Sequence, residues 1–276
     1  KTLTGVPALE IVLHRVVWSF LLLLPLLPLQ KRTGEFLSVM KHPRSLATLL
    51  ATTILVAVNW LLFIWSVNNG LVLQASLGYY INPLFSVLLG VIILGERLRR
   101  AQVIAVLLAG AGVLHLTIGL GRFPWIALSL AFTFGLYGLV RKIAPVSALV
   151  GLAVETLLML PPSLGYLTYL YLDGRGAFLH SGTSIDLLLM ASAFATALPL
   201  LFFNLGTRIL HLSTIGFMQY IVPSCFFLFA VFVFGEPISS VQLWTFALIW
   251  AALALYTADS MILHRKTLAS PASKPE

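Results

Sequence analysis

Nine apolar runs, most of them about 20 residues or longer, divide this chain: 9–29, 45–67, 71–95, 101–119, 124–144, 148–171, 185–206, 212–235 and 241–263. A helix rising about 1.5 Å per residue needs about 20 residues to cross about 30 Å of hydrocarbon. A β-barrel would instead alternate apolar and polar positions in segments of about ten, and stretches such as Phe20 to Leu27 do not alternate. Each run therefore predicts a membrane-spanning helix, and the fold class is an all-α polytopic membrane protein.

Charge collects in the gaps between the runs. Numbered alternately, the gaps on one side hold Lys31, Arg32, Lys41, Arg44, Arg97, Arg99, Arg100, Arg141, Lys142, Arg208, Arg265, Lys266 and Lys274, and those on the other hold Lys1, Arg122 and Arg175. This bias places the first set in the cytoplasm and the C-terminus with it, in a multi-pass protein of the bacterial inner membrane. The tail from His264 onward, carrying Pro, Ser and Lys, is expected to be disordered.

Composition agrees. The 276 residues are 59% hydrophobic and 9% charged, with a mean hydropathy of +1.00, more hydrocarbon than a soluble domain of this size can hide. The net charge of +8 belongs to the topology signal, and no nucleic-acid partner is expected. The lone cysteine, Cys225, falls inside an apolar run, which excludes a disulfide framework and a cysteine metal cluster and points to a packing role. No metal or cofactor is expected. The partners are the lipid bilayer and a small-molecule substrate, with a homo-oligomer as a further expectation.

The chain also repeats itself. Tyr80-Ile81-Asn82-Pro83 followed by Gly95-Glu96 and Gln102 matches Tyr220-Ile221-Val222-Pro223 followed by Gly235-Glu236 and Gln242, and Ala8, Ala51 and Phe63 match Ala148, Ala191 and Phe203. Every pair is 140 residues apart, as in 220 against 80. At that offset the span 124–144 maps to −16 to 4, so its partner is expected upstream of Lys1. The full protein then has ten helices in two sets of five, nine of them present. An odd number per set inverts one set against the other, and the loops agree: Arg97, Arg99 and Arg100 follow the first Gly-Glu, whereas Pro237, Ile238, Ser239 and Ser240 follow the second. The expected organisation is a first repeat over 1–119 lacking its first helix, an inverted second repeat over 120–264, and a cytoplasmic tail over 265–276. Inverted repeats of this kind build many secondary transporters, with the substrate near mid-depth.

Several stretches carry a family resemblance: His14-Arg15-Val16-Val17-Trp18-Ser19-Phe20, Asn59 through Asn69, Ala75 through Leu84, Leu94-Gly95-Glu96-Arg97, Gly138 through Lys142 and Gly216 through Pro223. Together they resemble the RarD subgroup of the EamA drug/metabolite transporters, over nearly the whole chain. The resemblance implies ten helices with both termini cytoplasmic, a central cavity, and transport of a metabolite or drug-like compound. The subgroup's name is tied to chloramphenicol sensitivity.

Polar groups at membrane depth each require a reason. Arg15 and Glu155 lie about two turns inside their spans, again 140 residues apart. Each reads either as half of a packing ion pair, Glu155 with Arg141 or Arg15 with Glu10, or as a coupling group for substrate or protons. Asn59 and Trp60 lie deep in the second span, where an amide and a flat ring suit a cavity for an amphiphilic solute. Asn68 and Asn69 read as interfacial. Pro83 and Pro223 are expected to kink their helices and free carbonyls. Nearby Tyr79, Tyr80, Asn82, Gln219 and Tyr220 are thereby candidate cavity-lining residues, with packing as the alternative. Ala101, Ala105 and Ala109, and Ala247, Ala251, Ala254 and Ala258, read as close helix contacts.

Motifs for metalloprotease, serine-hydrolase or phosphate-loop chemistry are missing, so enzyme activity is not expected. The function read from the sequence is secondary transport of a small metabolite or drug-like molecule by alternating access. A passive channel or facilitator, or a purely structural membrane protein, is the alternative, and the sequence has no polar stripe or charged ring for a channel. A topology reporter fused after Lys266 is expected to be active only in the cytoplasm and one inserted at Ser240 only outside; activity of both on one side would contradict the inverted repeat.

Overall fold

The computed structural model describes residues 5–119, 121, 123–233 and 240–269. These fold into helices α1 (Ala8–Leu23), α2 (Leu26–Leu29), α3 (Thr33–Lys41), α4 (Pro43–Asn68), α5 (Val72–Ile92), α6 (Arg100–Gly119), α7 (Trp125–Ile143), α8 (Ala148–Leu172), α9 (Thr183–Ala191), α10 (Phe194–Ile209), α11 (Leu212–Gln219), α12 (Ile221–Phe232) and α13 (Ser240–Ala269). Among the described residues, nine helical segments are long and apolar enough to cross a membrane, at the places the apolar runs predict.

The helix starts keep the repeat register. Ala148 begins α8 as Ala8 begins α1, Thr183 stands against Pro43, Leu212 against Val72, and Ser240 against Arg100, each pair 140 residues apart. Two compact units result, and neither follows the order of the chain. One comprises Lys1–Gly70 with Leu136–Leu210, the other Leu71–Gly135 with His211–Glu276. In the first, α1 packs on its counterpart α8; in the second, α5 packs on α11 and α6 on α13. Leu23, Leu27, Leu49, Val150 and Val154 form the core of the first unit. Val87, Ala105, Ala109, Phe217, Tyr220 and Ile249 form that of the second.

Glycine sets the closest approach. A Cβ on Gly216 would stand 2.6 Å from the Pro83 carbonyl oxygen, so only a bare α11 backbone fits this crossing with α5. That support accompanies a difference between the two prolines. α5 passes through Pro83 as one helix, whereas its counterpart breaks at Tyr220, beside Gln219, whose carbonyl is the one a helical Pro223 would strike.

Other expectations are corrected. The gap after the first span contains α3, a short helix with one buried position, Val39. Cys225 is exposed, not packed. On α6, Ala105 and Ala109 are buried as expected, but the inward face of α13 is Thr245, Phe246, Ile249, Ala252 and Tyr256. Ala247, Ala251, Ala254 and Ala258 point outward, because bulky side chains on the neighbouring positions, not the alanines, meet α6. The α13 helix continues to Ala269 instead of fraying at His264. Gly235 to Ser239 and residues 270–276 lie outside the described residues.

A helix beginning in a tight interhelical gap leaves backbone N–H groups to be satisfied. No side chain caps α11 from its own N-cap residue. Glu96 does so from the end of the α5 hairpin: Leu212 N–H donates to Oε1 at 2.6 Å and Ser213 N–H to Oε2 at 2.9 Å. Two glycines make this reach possible. Gly95 takes a left-handed φ of 66° that turns the chain, and a Cβ on Gly90 would stand 2.6 Å from Glu96 Oε2. The Gly-Glu signature is therefore a cap delivered from a neighbouring hairpin. In the other unit Glu35 similarly accepts Ser147 N–H at 2.7 Å, at the start of α8.

Burial pushes the Glu96 carboxyl up, but the N–H groups of Ser213 and Leu212 and the nearby His211 outweigh it, and its pKa falls below the ordinary glutamate value. The folded state therefore binds fewer protons than the unfolded one, so this stabilisation is present above the ordinary value of 4.5 and is lost as pH falls through the lower folded one. Glu96→Gln is expected to cost about 1–3 kcal/mol at neutral pH and to remove that acid-sensitive part. Thermal unfolding in detergent at neutral and acid pH checks it; an unchanged melting temperature at neutral pH would contradict the cap.

Candidate functional site

Glu155 is the organising group of the first unit. It stands on α8, 2% exposed, and three other helices bring side chains to it. Thr52 Oγ1 on α4 donates to Glu155 Oε1 at 2.6 Å. Tyr137 OH on α7 donates to Oε2 at 3.1 Å, and Asn204 Nδ2 on α10 donates to that hydroxyl at 2.9 Å. Arg141, one turn beyond Tyr137 and 1% exposed, holds Nε 3.6 Å from Oε1. At that distance the contact is a charge pair more than a hydrogen bond.

Local sequence explains the placement. Tyr137 and Arg141 are four apart and share one face of α7; Gly151 and Glu155 do the same on α8. A Cβ on Gly151 would stand 1.9 Å from Arg141 Nη1, so the glycine is the berth of the guanidinium. Nη2 is tied to the carbonyls of Ser147 at 3.4 Å and Ala148 at 3.3 Å. Arg141 Nε and Nη1 and Asn204 Oδ1 are buried without hydrogen-bond partners among the described residues. Beside the network lies a cavity of about 10 Å³ whose walls include Trp60, Tyr137, Glu155, Thr156 and Met159. That volume is at the lower limit for one water molecule. The arrangement suits storing a charge or a proton, and it is too small to hold an organic substrate.

A second polar group belongs to the other unit. Asn82 Nδ2 donates to Gln219 Oε1, and Tyr220 OH donates to the Tyr80 carbonyl at 3.2 Å. Asn82 Oδ1 and Gln219 Nε2 stay buried and unpaired among the described residues. Whichever way the two amides are turned, their pairing leaves one donor group and one acceptor over.

The expected binding residues thus divide. Trp60 lines the small cavity, while Asn59 is half-buried beside it on α4. Tyr80 is half-buried with its ring 5.7 Å from that of Phe246. Tyr220 is packed in the apolar core of its unit, and Tyr79 is 43% exposed on the outside of α5. The Glu155–Arg141 pair forms. Glu10 is oriented by Ala177 N–H at 2.7 Å and lies 3.9 Å from His14; Arg15 is half-buried on α1. Thr52, Tyr137, Asn204 and Gly151 were not legible as site residues, although the four-residue spacing of Tyr137 to Arg141 and Gly151 to Glu155 was a usable signal. Among the described residues no His, Cys, Asp and Glu cluster could hold a metal ion.

Residues 1–118 match the EamA-like transporter family. An uncharacterized transporter of Vibrio cholerae is 48% identical over 95% of this chain and 86% of its own length. Protein RarD of Salmonella typhi is 46% identical over 96% of this chain and 90% of its own. The chain belongs to the RarD subgroup of the EamA-like transporter family. A solved crystal structure with 18% identity superposes with a TM-score of 0.72 over 93% of this chain and 90% of that one, which supports the all-α fold. Membership makes the protein a membrane transporter, whose surroundings are a lipid bilayer and whose cargo is a small molecule.

Because the guanidinium occupies the space beside Gly151, Gly151→Leu is expected to displace Arg141 and leave Glu155 a buried charge without its cation, at a cost of about 3–5 kcal/mol. Asn204→Leu removes only a neutral donor to Tyr137 and is expected to cost about 1–3 kcal/mol. Melting temperatures of the two purified variants check the order; equal losses would mean that the charge pair adds nothing beyond ordinary packing.

Proposed function

We propose that the chain is a secondary transporter of the bacterial inner membrane, C-terminus inside, that exports a small metabolite or drug-like molecule by alternating access between two inverted repeats. The observation that carries the coupling part is Glu155, a fully buried carboxylate held by Thr52 and Tyr137 and faced at 3.6 Å by an incompletely bonded Arg141. Such a pair is costly to keep in hydrocarbon unless its charge state is used. A proton arriving on Glu155 cancels its attraction for Arg141 and frees the α7 guanidinium from α8. The same event links proton occupancy to helix packing, which is what a coupled transporter requires.

Substrate contact is assigned to Asn59, Trp60, Tyr79, Tyr80, Asn82, Gln219 and Tyr220. The amides left over on Asn82 and Gln219 favour a neutral donor and acceptor on the cargo, and the nearby tyrosines favour an apolar body. A Pseudomonas aeruginosa relative, 36% identical, carries the name chloramphenicol-sensitive protein RarD, and chloramphenicol is the first compound to try. The protein acts without enzyme chemistry, and the repeat boundaries of 1–119 and 120–264 mark the elements that exchange roles in the cycle.

Proteoliposomes loaded with labelled chloramphenicol provide the test. Wild-type protein is expected to move the label faster under a proton gradient, and Glu155→Gln to lose that dependence while still exchanging label against unlabelled compound. Gradient dependence intact in a well-folded Glu155→Gln protein would rule out the coupling role.

A further inference from the structure

Apart from the Glu155 network, the first unit holds a second buried pair of titratable groups. Glu10, His14 and Trp18 follow one another at four-residue spacing and share one face of α1. Glu10 is 1% and His14 5% exposed. The segment that joins α8 to α9 closes over them. Ala177 N–H donates to Glu10 Oε1 at 2.7 Å, and the Phe178 ring lies 4.9 Å from that of His14 and 5.9 Å from that of Trp18. Leu179, next along, takes a left-handed φ of 65°, which a bulky side chain rarely adopts. Its N–H donates to Asp186 Oδ1 at 2.8 Å. The segment is thus pinned on α1 in a shape that its own backbone does not favour.

The hydrogen bonds assign the protonation state of His14. Trp18 Nε1–H donates to His14 Nδ1 at 3.3 Å. An indole can only donate, so Nδ1 carries no hydrogen and the neutral ring keeps its own on Nε2. Nε2 stands 3.9 Å from Glu10 Oε1, and among the described residues neither Nε2 nor Glu10 Oε2 has a hydrogen-bond partner. The charges that reach His14 are Glu10 on its own helix and Asp186 on α9. The other helices packed on α1, namely α2, α4, α8 and α10, bring no further charge to it among the described residues. Within the segment, Arg175 pairs with Asp173 and His180 lies against Tyr171.

We propose that His14 is a proton-binding site separate from Glu155, and that a proton taken up on Nδ1 releases residues 176–178 from α1. Once Nδ1 carries hydrogen, it faces the Trp18 N–H donor to donor and that bond is lost. The imidazolium, charged beside a buried carboxylate, draws Glu10 onto Nε2–H and away from the neutral Ala177 N–H. Phe178 loses its seat as the two rings beneath it part. One proton therefore undoes both attachments of the segment. The approach is short, because His14 lies within the first two turns of α1 and Leu179 and His180 above it are exposed. The inference rests on the proposed topology only for the side it faces, which is the outside, where a proton driven inward enters.

Two local readouts on the purified full chain in detergent test this without any transport step, so their failure is separate from failure of the transport reading. Hydrogen exchange at Ala177, corrected for the intrinsic pH dependence of exchange, reports the bond to Glu10. Indole fluorescence of wild-type protein less that of Trp18→Phe reports the bond to His14. As pH falls from about 8 to about 5, protection at Ala177 is expected to drop about tenfold or more, in step with a change in the Trp18 signal. His14→Gln, which can still accept from Trp18 and takes up no proton, is expected to hold both readouts constant. Glu10→Gln is expected to keep the Trp18 change and to lose the drop in protection at Ala177. Protection at Ala177 that is independent of pH in wild-type protein overturns the proposal, and so does a pH response that survives in His14→Gln. If either variant does not fold, the wild-type curves alone decide: the two changes coincide, or the proposal falls.

Discussion

A carboxylate at membrane depth has to be compensated where it stands, and in the first unit the compensation of Glu155 determines which helices may be neighbours. Thr52, Tyr137, Arg141 and Asn204 come from α4, α7 and α10 to one point on α8. None of these side chains can reach Glu155 unless its own helix is packed at the right depth, so the network fixes register as well as proximity. Gly151 carries the other half of the constraint, because any side chain there takes the volume of the guanidinium. Apolar packing alone, with interchangeable Leu and Val on every face, would specify these depths far less sharply.

The second unit solves a different problem with the same residue type. Its helices are held by close backbone approach at Gly78, Gly90, Gly135 and Gly216, contacts of the kind that drive association where lipid is as apolar as the side chains. Close approach leaves backbone N–H groups at helix starts without water, and Glu96 supplies them from a neighbouring hairpin. Placing a negative charge at a helix N-terminus adds favourable interaction with the helix dipole. Glutamate thus serves as a cap near the helix ends and as half of a charge pair at depth, and only its position along the chain separates the two uses.

Much of the fold was legible because its causes are local and periodic. Apolar run length gave the nine spans within a few residues, and identities such as Tyr80 with Tyr220 gave a register that the helix starts keep. The Glu155–Arg141 pair was legible because charges in hydrocarbon are rare and seek one another. The rest depends on contacts across the fold. Thr52, Tyr137 and Asn204 are ordinary polar residues until Glu155 meets them. The outward turn of Ala251 follows from where Thr245, Ile249 and Tyr256 meet α6, which small-residue spacing cannot reveal. Cys225 looked packed because apolar surroundings in sequence do not distinguish a core from an exposed apolar surface.

The two halves agree in shape and differ in polar chemistry. At the fixed offset, Glu155 stands against Arg15, Glu10 against Val150, Asn82 against Val222, and Asn204 against Ile64. Helix starts, Tyr80 with Tyr220, and Pro83 with Pro223 are kept, so what the two halves share is the helical register. An inverted pair of equal scaffolds has two conformations of similar energy by construction, one the mirror in depth of the other, and this near-degeneracy is what alternating access needs. A perfectly symmetric pair, however, would have no preferred direction and no unique place to hold a proton. In the proposed cycle, the Glu155–Arg141 charge pair, which has Arg15 in place of a carboxylate at the matching repeat position, makes the energy difference between the two conformations depend on whether Glu155 is charged. In the proposed cycle, the difference between the halves, more than their likeness, is what gives transport its direction.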